Sequence, residues 1–148
     1  MTRIRIVIAW CVAISVLAVL ATVSSAADTT LKATMSGSQE KPKGDPDGTG
    51  TAVLTLKSSQ VCYVITPKKA GTTFSAGHIH AGKKGTAGPV FINLFTKPKK
   101  LKSGKLSGCS PTVKAADIAK VKTTPANYYV NIHNAKYPAG AIRGQLKK

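Results

Sequence analysis

From residue 30 to residue 146 the chain is cut into short β-rich runs, each closed by a cluster of Gly, Pro, Asn, Asp or Ser, and this punctuation limits the fold more than any other feature. The runs are 30–35, 51–57, 60–66, 77–81, 89–95, 127–133 and 141–146. Ser58-Ser59 separates the second and third as a tight hairpin turn does. Only 113–121 has helical spacing, through Val113, Ala116, Ile118 and Val121, with Thr112 as its expected cap and Pro125 beyond its end. Short strands with turns between them and one short helix predict an all-β domain, an antiparallel Greek-key β-sandwich of about seven or eight strands. The lysine-rich stretch 96–105 is expected as an exposed loop.

The first 26 residues read differently. Arg3 and Arg5 precede an apolar run from Ile6 to Val23, and Ser24-Ser25-Ala26 supplies small residues for cleavage. Residues 1–26 are therefore expected to be a secretory signal peptide, leaving a single domain at 27–148 that is secreted, periplasmic or on the cell surface. An uncleaved anchor is the alternative, because the run approaches bilayer-spanning length. Export bears on Cys62 and Cys109: in an oxidising compartment an even pair is expected to form a disulfide, the alternative being two buried free thiols.

The whole chain carries 22 Lys plus Arg against 5 acidic residues; without Arg3 and Arg5 this is 20 against 5, or +15. Such a domain is attracted to polyanions, with Lys97, Lys99, Lys100 and Lys102 the densest basic stretch and anionic cell-surface polymers the expected partners. Sequence-specific nucleic-acid reading is excluded as a class, because it leans on arginine and stacking aromatics, and Arg143 is the one arginine left. The simpler reading is that the lysines keep a small exported domain soluble. Hydrolase chemistry is equally poorly supported: Glu40 is the sole glutamate, and neither a nucleophile elbow nor a phosphate-binding loop is present.

All three histidines fall in two of the strand-like runs, Gly77-His78-Ile79-His80-Ala81-Gly82 and Tyr129-Val130-Asn131-Ile132-His133-Asn134. Residues i and i+2 of a strand share a face, so His78 and His80 stand side by side. His133 on a neighbouring strand would complete a three-imidazole cluster able to hold copper or zinc. The alternative is structural, with each imidazole bonding a backbone carbonyl to pin a Gly-rich loop. Asp45-Pro46-Asp47-Gly48 resembles the start of a calcium loop but lacks the downstream bidentate Glu, so a turn is expected. Arg143, sharing a strand face with Gln145, is expected to bind an anion or to pair structurally, with Asp117 as the candidate partner.

Three separated blocks carry a family resemblance: Ser36-Gly37-Ser38-Gln39-Glu40; Ala76-Gly77-His78-Ile79-His80-Ala81-Gly82 continuing through Gly85 and Gly88-Pro89-Val90; and Tyr128-Tyr129-Val130-Asn131-Ile132-His133 with Tyr137-Pro138 and Gly140-Ala141-Ile142-Arg143-Gly144-Gln145-Leu146. Together they resemble the CHRD domain family, named after chordin, over nearly all of 27–148. Lys41 departs from the apolar residue usual in bacterial members, and the cysteine pair is similar to that of bacterial secreted ones. The resemblance implies a secreted binding or surface-associated module and leaves the biochemical role undefined. The histidine pattern is also similar to the copper-ligand layout of copper/zinc superoxide dismutase, itself a disulfide-bearing sandwich of the type expected here. Three histidines are too few for a bridged two-metal site, which leaves a mononuclear copper redox centre as the enzyme alternative.

Overall fold

A computed structural model describes residues 27–148; the expected signal peptide lies outside them. Among the described residues ten strands form: β1 (Thr29–Ser36), β2 (Thr49–Leu56), β3 (Val61–Lys68), β4 (Thr73–Phe74), β5 (Ala76–Ala81), β6 (Val90–Phe95), β7 (Lys99–Lys100), β8 (Leu106–Cys109), β9 (Tyr128–His133) and β10 (Ile142–Gln145). Eight of them make one antiparallel sheet in the order β6-β5-β9-β10-β1-β2-β3-β8, and β4 pairs with β7 in a separate ribbon. The jump from β3 to β5 and the return of β9 to the far side of β5 are Greek-key crossings. The expected sandwich is thus one sheet curled into a nearly closed barrel, with β6 and β8 at its open seam.

Strict alternation drives the first half. Leu31, Ala33 and Met35 of β1, Leu54 and Leu56 of β2, and Val61, Tyr63 and Ile65 of β3 point inward and are almost fully buried, while their neighbours face solvent. The β2–β3 hairpin turns at Ser58-Ser59 as expected, closed by Lys57 N–H donating to the Gln60 carbonyl at 2.9 Å. Ile79, Val130, Ile132, Ile142 and Phe74 complete the core, and helix α1 (Ala115–Thr123) adds Ile118 and Val121. Among the described residues no helix is long and apolar enough to cross a membrane.

Two expectations need correction. Thr112 does not cap α1: the chain is still tied to the β2–β3 turn at Val113, whose N–H donates to the Ser59 carbonyl at 2.8 Å, so the helix starts only at Ala115 and Lys114, a side chain without an acceptor, takes the cap position. The stretch 96–105 is exposed over much of its length but is not a free loop: β7 pairs with β4 inside it, Lys102 bridges Lys105, and the half-buried Leu101 packs against the core. The sheet continues past it into β8, where Cys62 and Cys109 sit directly opposite each other on β3 and β8 and form the expected disulfide.

Candidate metal centre

The alternation fails at β9, where all residues from Tyr128 to Ile132 are buried. Its second face is covered too. Cross-strand register lines up His78, Asn131, Arg143 and Ser36 in one row across β5, β9, β10 and β1, and His80, Tyr129 and Gln145 in the next. With His133, these side chains form a polar layer on the outer face of the sheet, opposite the core. Three loops close over it, 37–48, 82–89 and 134–141, and they are attached by the layer's own hydrogen bonds. Arg143 Nε donates to the Gln39 carbonyl and Nη1 to the Thr86 carbonyl at 3.0 Å; Gln145 Nε2 reaches the Gly82 carbonyl at 2.9 Å. The close approach of loop and strand requires glycine: a Cβ on Gly88 would collide with the Ala81 carbonyl, and one on Gly140, at φ +142°, would strike the Glu40 carboxyl.

The structure brings the three histidines together. One ring nitrogen of each lies within 4.8 Å of the others, although His133 is 55 residues from His78. Their tautomers follow from their partners. His80 Nδ1 is 2.9 Å from the Gly88 carbonyl and His133 Nδ1 is 2.9 Å from the Pro138 carbonyl; a carbonyl only accepts, so both Nδ1 atoms carry the proton. Both Nε2 atoms are left as bare lone pairs. His133 Nε2 accepts from His78 Nδ1 at 3.1 Å, whereas His80 Nε2 is buried and makes no hydrogen bond, although the Asn131 side chain lies near the ring. Burial holds all three imidazoles below their usual pKa, and mutual repulsion among them adds to the effect at His78, which falls to about 4. At neutral pH the cluster is therefore an uncharged set of nitrogen donors.

Tautomers fixed by outer carbonyl acceptors are how metal-binding histidines are held. A tetrahedral ion at about 2.0–2.1 Å from each nitrogen sets its ligands about 3.3 Å apart. The 3.1 Å separation of His78 and His133 already suits that spacing, and the His80 nitrogen, within 4.8 Å of the others, would close by up to about 1.5 Å. The donor set fits copper and zinc alike.

Around the histidines lie polar groups that sequence reasoning did not assign to the site. Tyr129 stacks on His80, ring centroids 4.9 Å apart and planes 6° from parallel, and carries the Arg143 guanidinium 4.5 Å from its centroid. Arg143 pairs with Glu40 at 3.8 Å, not with Asp117, which bonds Lys120 within α1 at 3.0 Å. Burial pushes the Glu40 carboxyl up to about 7, against the pull of the Arg143 charge and the neighbouring Asn131 amide. Asn131 and Tyr129 were legible as partners of His133 through the two-residue strand period, and Glu40 as the only glutamate; what the sequence lacked was any sign that this face is covered. Asp45-Pro46-Asp47-Gly48 forms a turn, with Asp47 N–H donating to the Asp45 carboxylate. Lys99, Lys100 and Lys102 line one surface groove together with Lys105; Lys97 is exposed outside it.

A family model described as CHRD domain matches residues 31–146. No curated protein and no solved structure matches the chain.

Proposed function

The chain belongs to the CHRD domain family, and on that footing we propose that it is a secreted, surface-associated binding module that holds one copper or zinc ion at His78, His80 and His133. The buried, unpartnered Nε2 of His80 beside two further imidazoles carries this reading. A purely structural role accounts for the two Nδ1 bonds but leaves that lone pair without a use, and burying an unsatisfied acceptor costs about 1–3 kcal/mol. His78 would ligate through Nδ1 after its proton moves to Nε2, so binding at neutral pH needs a change of tautomer and no net loss of a proton. His80 and His133 would ligate through Nε2 while Gly88 and Pro138 keep their rings oriented. The cysteine bridge supports export, since such bonds persist in oxidising compartments.

Calorimetric titration with copper and with zinc, on the wild type and on His78→Ala/His80→Ala, tests the site. Stoichiometric binding that the double variant loses is the expected result. Equal, weak binding by both proteins would return the histidines to a structural role.

A second reading concerns the lysine groove at β7 and β8, where Lys99, Lys100, Lys102 and Lys105 converge. It supports retention on anionic polymers through counterion release, so the logarithm of affinity should fall linearly with the logarithm of salt. Affinity independent of salt would remove this reading.

A further inference from the structure

A separate cavity of about 220 Å³ opens beside the polar layer, lined by Gln39, Lys41, Lys84, Tyr129, Arg143 and Gln145 among others. None of the three histidines lines it. Its charge is one-sided: two exposed lysines stand at its margin and Arg143, only 3% exposed, lies at its base. The guanidinium is held rigidly, with Nε on the Gln39 carbonyl and Nη1 on the Thr86 carbonyl, yet Nη2 is buried without a partner. Glu40 balances this arginine incompletely, since its nearest contact is 3.8 Å from Nε and its Oε1 is itself unbonded. A buried charged donor left unmade is costly, and an anion accepting from it would recover that cost.

We propose that this cavity is a binding site for a small organic carboxylate, which sits between the Lys41 and Lys84 ammonium groups over the Arg143 guanidinium and, with a small shift of the side chains that cover Nη2, accepts from it. The preference for a carboxylate over a tetrahedral anion follows from the nature of the walls. The Tyr129 ring and the lysine stems offer apolar surface to the body of a short-chain acid. Phosphate is strongly hydrated on every side and has no apolar body to set against such walls. Tyr129 also stacks on His80, which places an occupant one ring away from the imidazole cluster without touching it.

The site is tested by NMR titration of the protein with acetate, butyrate and inorganic phosphate at constant ionic strength, before and after chelator treatment. Saturable shifts at Gly85, Tyr129 and Gln145, with butyrate tighter than acetate and acetate tighter than phosphate, are expected and should survive chelation. Lys41→Ala/Lys84→Ala, two exposed positions, should weaken butyrate about tenfold, the sum of two modest ion-pair terms. Lys57→Ala/Lys68→Ala, which changes net charge equally in the β2–β3 turn and at the end of β3, should leave the affinity unchanged. Non-saturating shifts, phosphate binding the tightest, or equal weakening by both lysine pairs would overturn the proposal. Binding abolished by chelator would place the anion on the metal instead, so failure here is distinguishable from failure of the histidine site.

Discussion

Among single residues, His80 and Glu40 make the sharpest predictions, because each is a buried group whose atoms are not all satisfied. His80→Gln keeps a polar side chain near the Gly88 carbonyl but removes the ligand nitrogen, so copper or zinc affinity should fall at least tenfold while the fold persists; calorimetry with circular dichroism reads both. Glu40 bears on pH. Its carboxyl is lifted from 4.5 to about 7 by burial, so between those values the folded protein holds a proton that the unfolded chain has released. Stability from this group is therefore lost as pH rises from 4.5 to 7 and levels off above. The three imidazoles, held low by burial, contribute the opposite slope, but they are common to wild type and Glu40→Gln. The stability of Glu40→Gln relative to wild type should accordingly rise across pH 4.5–7, measured by urea denaturation at several pH values. A difference independent of pH would mean that Glu40 is ionised throughout and fully compensated by Arg143.

At the level of elements, the readable strands are those with one dry face. β1, β2 and β3 alternate cleanly, and 30–35, 51–57 and 60–66 place them to within two residues. β8 was not legible: Leu106-Ser107-Gly108-Cys109 has one large apolar residue and two small ones, and it pairs only because β3 lies opposite. β4 and β7 are two residues each and have no periodicity to read. The histidine face was half legible. The i, i+2 rule put His78 beside His80, and the position of β9 between β5 and β10 is what brought in His133. That adjacency is a long-range pairing that no local pattern encodes. Nor did any local pattern show that loops would cover the outer face and bury Arg143. The glycine at the β5–β6 loop makes this covering testable. Gly88→Ala should destabilise the protein by about 1–3 kcal/mol by forcing the loop off Ala81. It should also weaken metal affinity by moving the carbonyl that orients His80, whereas Gly85→Ala, whose φ of +84° is unfavourable but whose Cβ meets nothing within 4 Å, should cost stability and leave the metal site alone.

Across the whole molecule, the disulfide and the histidine cluster lie at different places in the strand order. The cysteines join β3 to β8 at one border of the seam, while the imidazoles stand on β5 and β9 near the other border. β8 is a four-residue edge strand bonded to the sheet along β3 alone, so the bridge fastens an element held by one neighbouring strand. Closing a loop with a sequence separation of 47 restricts the unfolded chain by about 4 kcal/mol on the chain-entropy account. Cys62→Ala/Cys109→Ala should therefore lower unfolding free energy by about 2–4 kcal/mol, with amide exchange rising first at β8 and the 96–105 segment. The core beneath β5 and β9 rests on Ile79, Val130 and Ile132, on strands that pair with each other, with β6 and with β10 but not with β8. Copper or zinc affinity of the cysteine-free variant should therefore match wild type wherever the variant is folded. Affinity falling in step with reduction would mean that closure of the seam is communicated through β6 to the histidine strand, and that the barrel, not the three covering loops, sets the geometry of the cluster.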